Sequence, residues 1–169
     1  MKKLRLAGVI RESIVDGPGM RMTIFTQGCP HNCEGCHNPQ THSFDGGYIS
    51  HPENILKAID ADPILKGVTF SGGEPFMQAE ALAMLAEEIH KRGLNVLSYT
   101  GFTYEELLQS FEKHPDREKL LRQCDYLIDG RFVLALRSLD LKFRGSSNQR
   151  IIDVKKSLES GKVVETNFD

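Results

Sequence analysis

Short apolar runs alternate with stretches of helical periodicity along this chain, a pattern that predicts an α/β domain with a mostly parallel sheet. Leu4 to Ile10, Met22 to Thr26, Gly67 to Ser71, Asn95 to Tyr99 and Tyr126 to Asp129 read as strands. Ser50 and Glu53 form a capping-box signature ahead of Ile55, Leu56 and Ile59, so a short helix is expected to run as far as Asp60. Ala79, Leu82, Ala83, Ala86 and Ile89 recur at helical spacing and make one apolar stripe between Gln78 and Arg92, which Gly93 ends. Thr103 with Glu106 repeats the capping box before Leu107, Leu108 and Phe111. In the tail from Asp153 to Asp169, Lys155, Lys156, Leu158 and Glu159 are weakly helical and Val163-Val164 reads as a closing edge strand. No repeat, low-complexity tract or flexible linker interrupts the pattern.

Composition narrows the class. A chain of 169 residues with 40% hydrophobic content fits one domain spanning 1–169 with its own core. The net charge is −2, with 21 basic and 23 acidic residues intermixed, which argues against a nucleic-acid groove or an anionic membrane as the main partner. Lys2, Lys3 and Arg5 are followed by no apolar region of the secretory kind, and no stretch is long enough to span a bilayer. Four cysteines, three of them clustered, suit a metal site in a reducing cytoplasm better than a disulfide framework.

The strand ending at Thr26 leads directly into Cys29-Pro-His-Asn-Cys33-Glu-Gly-Cys36, three thiols within one short loop. Gly28, Pro30, Asn32 and Gly35 suit the tight turns that such convergence needs. Thiolates are soft ligands that favour iron–sulfur clusters, copper(I) or zinc. A structural zinc site normally has four protein ligands, so a zinc knuckle would recruit His31 or His37 as the fourth. An iron–sulfur cube held by three thiolates would instead keep one iron free for a reactant.

The surrounding residues carry a resemblance. Val15-Asp-Gly-Pro-Gly19, Thr26-Gln-Gly-Cys29, the cysteine triplet and His37-Asn-Pro39 resemble the cluster-binding segment of radical S-adenosylmethionine enzymes, specifically those that activate glycyl-radical enzymes. Ser71-Gly-Gly-Glu-Pro75 follows, as that resemblance requires. Tyr99-Thr-Gly-Phe102, Asp129-Gly-Arg-Phe132 and Arg144-Gly-Ser-Ser-Asn-Gln149 are similar to the branch that acts on anaerobic ribonucleoside-triphosphate reductase. Gly35 stands where most of the wider superfamily has an aromatic residue, and that branch tolerates glycine.

The resemblance implies a partial, open (β/α) barrel of the radical S-adenosylmethionine type, whose side gap admits a macromolecular substrate. It implies a [4Fe-4S] cluster on Cys29, Cys33 and Cys36 with one open iron. S-adenosylmethionine would chelate that iron and be cleaved reductively to a 5′-deoxyadenosyl radical, which abstracts a glycine Cα hydrogen on the reductase. Gly35, Cys36 and His37 are the expected cofactor edge of the loop, and Gly72, Gly73 and Glu74 the expected partners of the methionine amine. A flavodoxin-type protein is the expected electron donor.

Other readings stay open beside these. Gly72-Gly73 also suits a purely geometric strand-to-helix turn. Ser98 and Thr100 are expected to face the site from a strand end and take the cofactor's carboxylate or ribose hydroxyls, or to serve as caps. Arg144, Ser146, Ser147, Asn148 and Gln149 offer a guanidinium and several amide or hydroxyl groups for a partner, or form a hydrogen-bonded loop. Asp129-Gly130 reads as a turn, and Cys124 as a small buried hydrophobe. The alternative functions are an activase of another glycyl-radical enzyme, such as pyruvate formate-lyase, and a non-catalytic zinc-binding interaction module.

Overall fold

A computed structural model describes residues 1–168. In chain order the elements are β1 (Leu4–Ser13), β2 (Arg21–Thr26), β3 (Tyr48–Ser50), α1 (Pro52–Asp60), β4 (Gly67–Gly72) and α2 (Ala79–Lys91). There follow β5 (Asn95–Tyr99), α3 (Tyr104–Ser110), α4 (Pro115–Gln123), β6 (Tyr126–Asp129), β7 (Arg150–Asp153) and α5 (Val154–Ser160). The strands join one sheet in the order β3-β1-β2-β4-β5-β6-β7, and its first and last strands do not pair with each other, so the barrel stays open.

Only the middle of the sheet is parallel, from β2 through β4 and β5 to β6. β1 lies antiparallel to β2, β3 to β1, and β7 to β6, which corrects the expectation of a mostly parallel sheet. The physical reason lies in the connections: β1–β2 and β6–β7 are joined without a crossover helix, so each chain returns alongside its own strand.

Alternation divides the sheet into two faces. Met22, Ile24, Val68, Phe70, Val96, Leu127 and Ile152 pack against Ile55 and Ile59 of α1, Leu82, Leu85 and Ile89 of α2, and Leu120 and Leu121 of α4. The concave face carries Leu97, Ile128 and Ile151, with Tyr99, Tyr126, Phe143 and Phe168 around them. Its floor is polar. Arg21 is fully buried there and donates to Thr69 Oγ1 at 2.8 Å and to the carbonyls of Pro18 and Val68 at 3.0 Å each. Burial pulls its pKa down to about 10. Because Thr69 Oγ1 also donates to the Asp16 carbonyl at 2.8 Å, the glycine-rich loop from Val15 to Gly19 is tied beneath the sheet.

Several local expectations hold and others change. The Thr103–Glu106 capping box forms with both of its hydrogen bonds. Ser50 and Glu53 form none: Pro52 presets the first helical residue, the cap falls on His51, and Ser50 is held opposite Leu4 in the β1–β3 ladder. The strands β3 and β7 and the helix α4 go beyond what the periodicity indicates. Instead of a strand at Val163-Val164, a single bridge joins Glu165 to Ile152. Among the described residues, no helix is long and apolar enough to cross a membrane.

Candidate active site

After β2 the chain runs from Gln27 to Gly47 with one short 3-10 turn, Pro39–Thr41. Irregular connections this long persist in compact domains mainly where they carry function. Gln27 orders it from within, donating to the carbonyls of Gln40 at 3.1 Å and Ser43 at 2.6 Å. Asn32 (φ 48°) and Gly35 (φ 75°) then turn the backbone through the left-handed region. Cys29, Cys33 and Cys36 come to line one cavity of about 560 Å³ above the ends of β4 and β5.

Each sulfur meets main-chain amides. Asn38 N–H approaches Cys36 Sγ at 3.4 Å, the amides of His31 and Asn32 face Cys29, and that of Phe132 faces Cys33. Burial pushes the thiols of Cys29 and Cys33 above their usual range, while those amides pull the other way. A bound cation reverses the burial effect, because coordination deprotonates a thiol outright. The donor set therefore fits a thiolate-held metal group. Among the described residues no three His, Cys, Asp or Glu side chains converge on a single ion. Thiolates of a cluster each hold a different iron and need no common centre.

Gly72 and Gly73 line the same cavity. Here the protein's own backbone accounts for the glycines. A Cβ at Gly72 would stand 2.5 Å from Thr26 N, and one at Gly73 would stand 2.4 Å from Gly28 O. The same close approach lets Gly73 N–H donate to Thr26 O at 2.7 Å.

Glu74 does not line the cavity. Its fully buried carboxylate accepts from His31 Nε2 at 2.6 Å, Gly101 N at 2.7 Å, Phe76 N at 3.0 Å and Thr100 Oγ1 at 2.9 and 3.0 Å. Thr100 does reach the cavity wall, with its hydroxyl already given to Glu74. Ser98 shares the helix-side phase of Val96, is fully buried and donates to the Tyr99 carbonyl at 3.0 Å, so it does not face the site. Tyr99 faces it instead, its hydroxyl donating to Phe143 O at 2.6 Å. The alternation Leu97–Tyr99 along β5 was the available signal.

Gly35 does not contact the cavity either: Leu134 packs over it, and an added Cβ would lie 2.9 Å from Leu134 Cδ1. His37 lines the cavity with its ring edge-on to Phe132 at 5.2 Å. Phe132 was not singled out in advance, although it belongs to the run that begins at Asp129. That aspartate is more than a turn residue. Buried, it accepts from Tyr104 N at 2.8 Å and from Arg150 Nη2 at 2.5 Å, which fixes the exit of β6 beneath the cysteine loop.

Within Arg144 to Gln149 the residues divide. Arg144 and Gln149 line the cavity, Ser147 and Asn148 are exposed, and Ser146 is fully buried. Ser146 cannot present to a partner, since its hydroxyl donates to Asn148 Oδ1 at 2.6 Å and accepts from Val133 N at 3.2 Å. Gln149 binds the amides of Gly145 and Ser146 and the carbonyl of Gly130. Arg144 donates Nη1 to Gln149 O, and its Nε is buried with no partner among the described residues. Cys124 is buried behind the sheet with its thiol on the Leu120 carbonyl at 3.3 Å.

A family model described as a 4Fe-4S single cluster domain matches residues 15–152. The anaerobic ribonucleoside-triphosphate reductase-activating protein of Vibrio cholerae is 34% identical over 146 residues, covering 82% of this chain and 90% of the relative. That of Escherichia coli K12 is 31% identical over 144 residues, 80% of this chain and 90% of the relative. The pyruvate formate-lyase-activating enzyme of Clostridium pasteurianum is 36% identical over 121 residues, 66% of this chain and 49% of that protein.

Proposed function

This chain belongs to the family of anaerobic ribonucleoside-triphosphate reductase-activating proteins, and from that premise we propose that it installs a glycyl radical on such a reductase. The observation that carries the reading is the meeting of Cys29, Cys33 and Cys36 with Gly72 and Gly73 on one cavity. In this reading the three thiolates hold an iron–sulfur cluster. With S-adenosylmethionine bound, that group would supply one-electron reductive cleavage of the cofactor and, through it, abstraction of a hydrogen atom from a glycine Cα.

What the protein itself contributes is ligation, orientation and the exclusion of water. The Thr26–Gly73 hydrogen bond fixes the glycine turn against the root of the cysteine loop, so a small cofactor finds both in one place. Phe25, Tyr99, Phe132 and Phe143 wall the cavity with apolar surface that protects a reactive radical from solvent. Arg144 offers a guanidinium for the cofactor's carboxylate or for the partner, and Gln149 holds the loop that carries it. No side-chain acid or base is required by a hydrogen-atom transfer. Ile10, Val15 and Leu141 stand at the cavity's border, where a glycine-bearing segment of the reductase would enter through the open side of the sheet. A flavodoxin-type protein is the proposed electron donor.

The test is anaerobic reconstitution with iron and sulfide, followed by reduction with S-adenosylmethionine and electron paramagnetic resonance of the partner. A glycyl signal on the anaerobic reductase is expected. A colourless chain carrying one zinc and no iron would replace this reading with that of an interaction module. The similarity to the Clostridium pasteurianum enzyme favours pyruvate formate-lyase as the second partner to assay, and a signal on that protein alone would reassign the substrate.

A further inference from the structure

His31 sits between two of the cavity thiols in sequence and lines the same cavity, yet its side chain is only 5% exposed and its Nε2 is directed to the turn after β4. Its Nε2 meets Glu74 Oε1 at 2.6 Å. Gly101 N–H donates to the same oxygen, and a ring N–H at Nε2 suits the contact. Two further neighbours hold the ring. Phe102 meets it edge to face at 4.7 Å, and Gly101 packs so closely that an added Cβ would lie 2.3 Å from His31 Cδ2. Phe102 is itself held by the Arg117 guanidinium, 4.8 Å from its ring centre.

Glu74 is thus bonded to three segments at once: the cysteine loop through His31, the end of β5 through Thr100 and Gly101, and its own turn through Phe76. A carboxylate with no exposed surface and four protein donors has little capacity left for a ligand. The amide of Glu74, moreover, donates to Gly28 O, so main chain and side chain grip the cysteine loop on both sides of Cys29.

We propose that His31 and Glu74 form a positioning pair that sets the cysteine loop against the Gly72-Gly73 turn, and that neither residue is a ligand of metal or cofactor. This deepens the function proposed above and rests on it. The pair fixes Cys29 and Cys33 before any metal arrives, as outer-shell partners of metal ligands do elsewhere. It also accounts for Gly101, because no larger residue leaves room for the imidazole.

The experiment compares the parent with His31→Phe, His31→Gln and Glu74→Gln. In the metal-free chain, hydrogen exchange of the peptide covering residues 28–37 is expected to accelerate in His31→Phe, while exchange in α2 stays unchanged. After anaerobic reconstitution, loss of iron to a chelator should be roughly 10-fold faster in His31→Phe, the scale typical of outer-shell changes. His31→Gln, whose amide can still donate to Glu74, should restore most of the retention. The double variant His31→Phe/Glu74→Gln should be no worse than the poorer single one, because one interaction has been lost and not two.

Unchanged exchange and unchanged iron retention in a folded His31→Phe would overturn the proposal. So would additive effects in the double variant. Should His31→Phe fail to fold, His31→Gln and Glu74→Gln decide: equal retention in both and the parent overturns the pairing. If the parent itself takes up no iron–sulfur cluster, the functional reading falls and the proposal falls with it. If the parent is loaded normally and the variants match it in exchange and iron retention, the proposal alone falls.

Discussion

The amide of Glu74 donates to the carbonyl of Gly28 at 2.8 Å, which joins the turn after β4 to the entrance of the cysteine loop as one hydrogen-bonded unit. Gly73 makes that approach possible. Its replacement by alanine would put a methyl group 2.4 Å from Gly28 O, and backbone has to move to accept it. Gly73→Ala should lose roughly 2 kcal/mol in chemical denaturation, the usual scale of overpacking. Equilibrium dialysis of the reconstituted variant should show weaker S-adenosylmethionine binding. Parent-like values in both measurements would mean that the two loops have slack to spare.

Cysteines in this chain should divide cleanly by position. Cys33→Ser removes a thiol that lines the cavity and should cost most of the iron and sulfide taken up on reconstitution. Cys124→Ala removes one sealed behind the sheet and should cost none. Iron and sulfide analysis of the two variants side by side checks this, and undiminished iron in Cys33→Ser would exclude that residue as a ligand.

Alkaline stability should depend on Cys124. Burial holds its thiol far above the ordinary value of 9.0. The folded value is the raised one, so the contribution to stability is fully present below the ordinary value and is lost as pH rises toward the folded one. Melting temperatures of the metal-free chain should therefore fall above about pH 9, and more gently in Cys124→Ala. Parallel curves for parent and variant would show that other groups control the fall.

Asp129 and Arg150 share a partly buried contact, with Asp129 at 1% side-chain exposure and Arg150 at 27%. Asp129→Ala leaves that guanidinium without its inner partner and the Tyr104 amide at the start of α3 without an acceptor. A loss of about 3 kcal/mol is expected in urea titration, the scale for removing one member of a buried pair. Glu105, which bonds the other side of Arg150, should matter less because it is exposed.

Gly35 combines a left-handed backbone (φ 75°) with Leu134 packed on top. Gly35→Ala should cost about 1–2 kcal/mol from the backbone alone. Adding Leu134→Ala should recover the steric share and leave the backbone share, so thermal melts of single and double variants separate the two causes. Complete recovery in the double variant would assign the whole cost to crowding.

Local chemistry made much of the architecture legible. The Thr103–Glu106 cap, the α2 stripe and the central strands depend on neighbours within a few residues, and they stand where their patterns indicate. Ser98 was misjudged for a physical reason of another kind: a strand residue's face is decided by its phase, and Tyr99, not Ser98, shares the phase of Leu97 toward the cavity. Likewise β7 and α4 lack distinctive caps or stripes, and they are secured by pairing with β6 and packing on α2.

By itself the sequence determined which atoms are available: three thiols on one short loop, a glycine turn after a strand, and the motifs that mark the family. Spacing along a chain is sufficient for that, because the thiols lie within eight consecutive residues. Tertiary structure alone decided what those motifs do to one another. Glu74 and His31 lie 43 positions apart, and only the parallel pairing of β2 with β4 brings their loops to the same rim, where burial makes an unpaired carboxylate too costly to leave without donors.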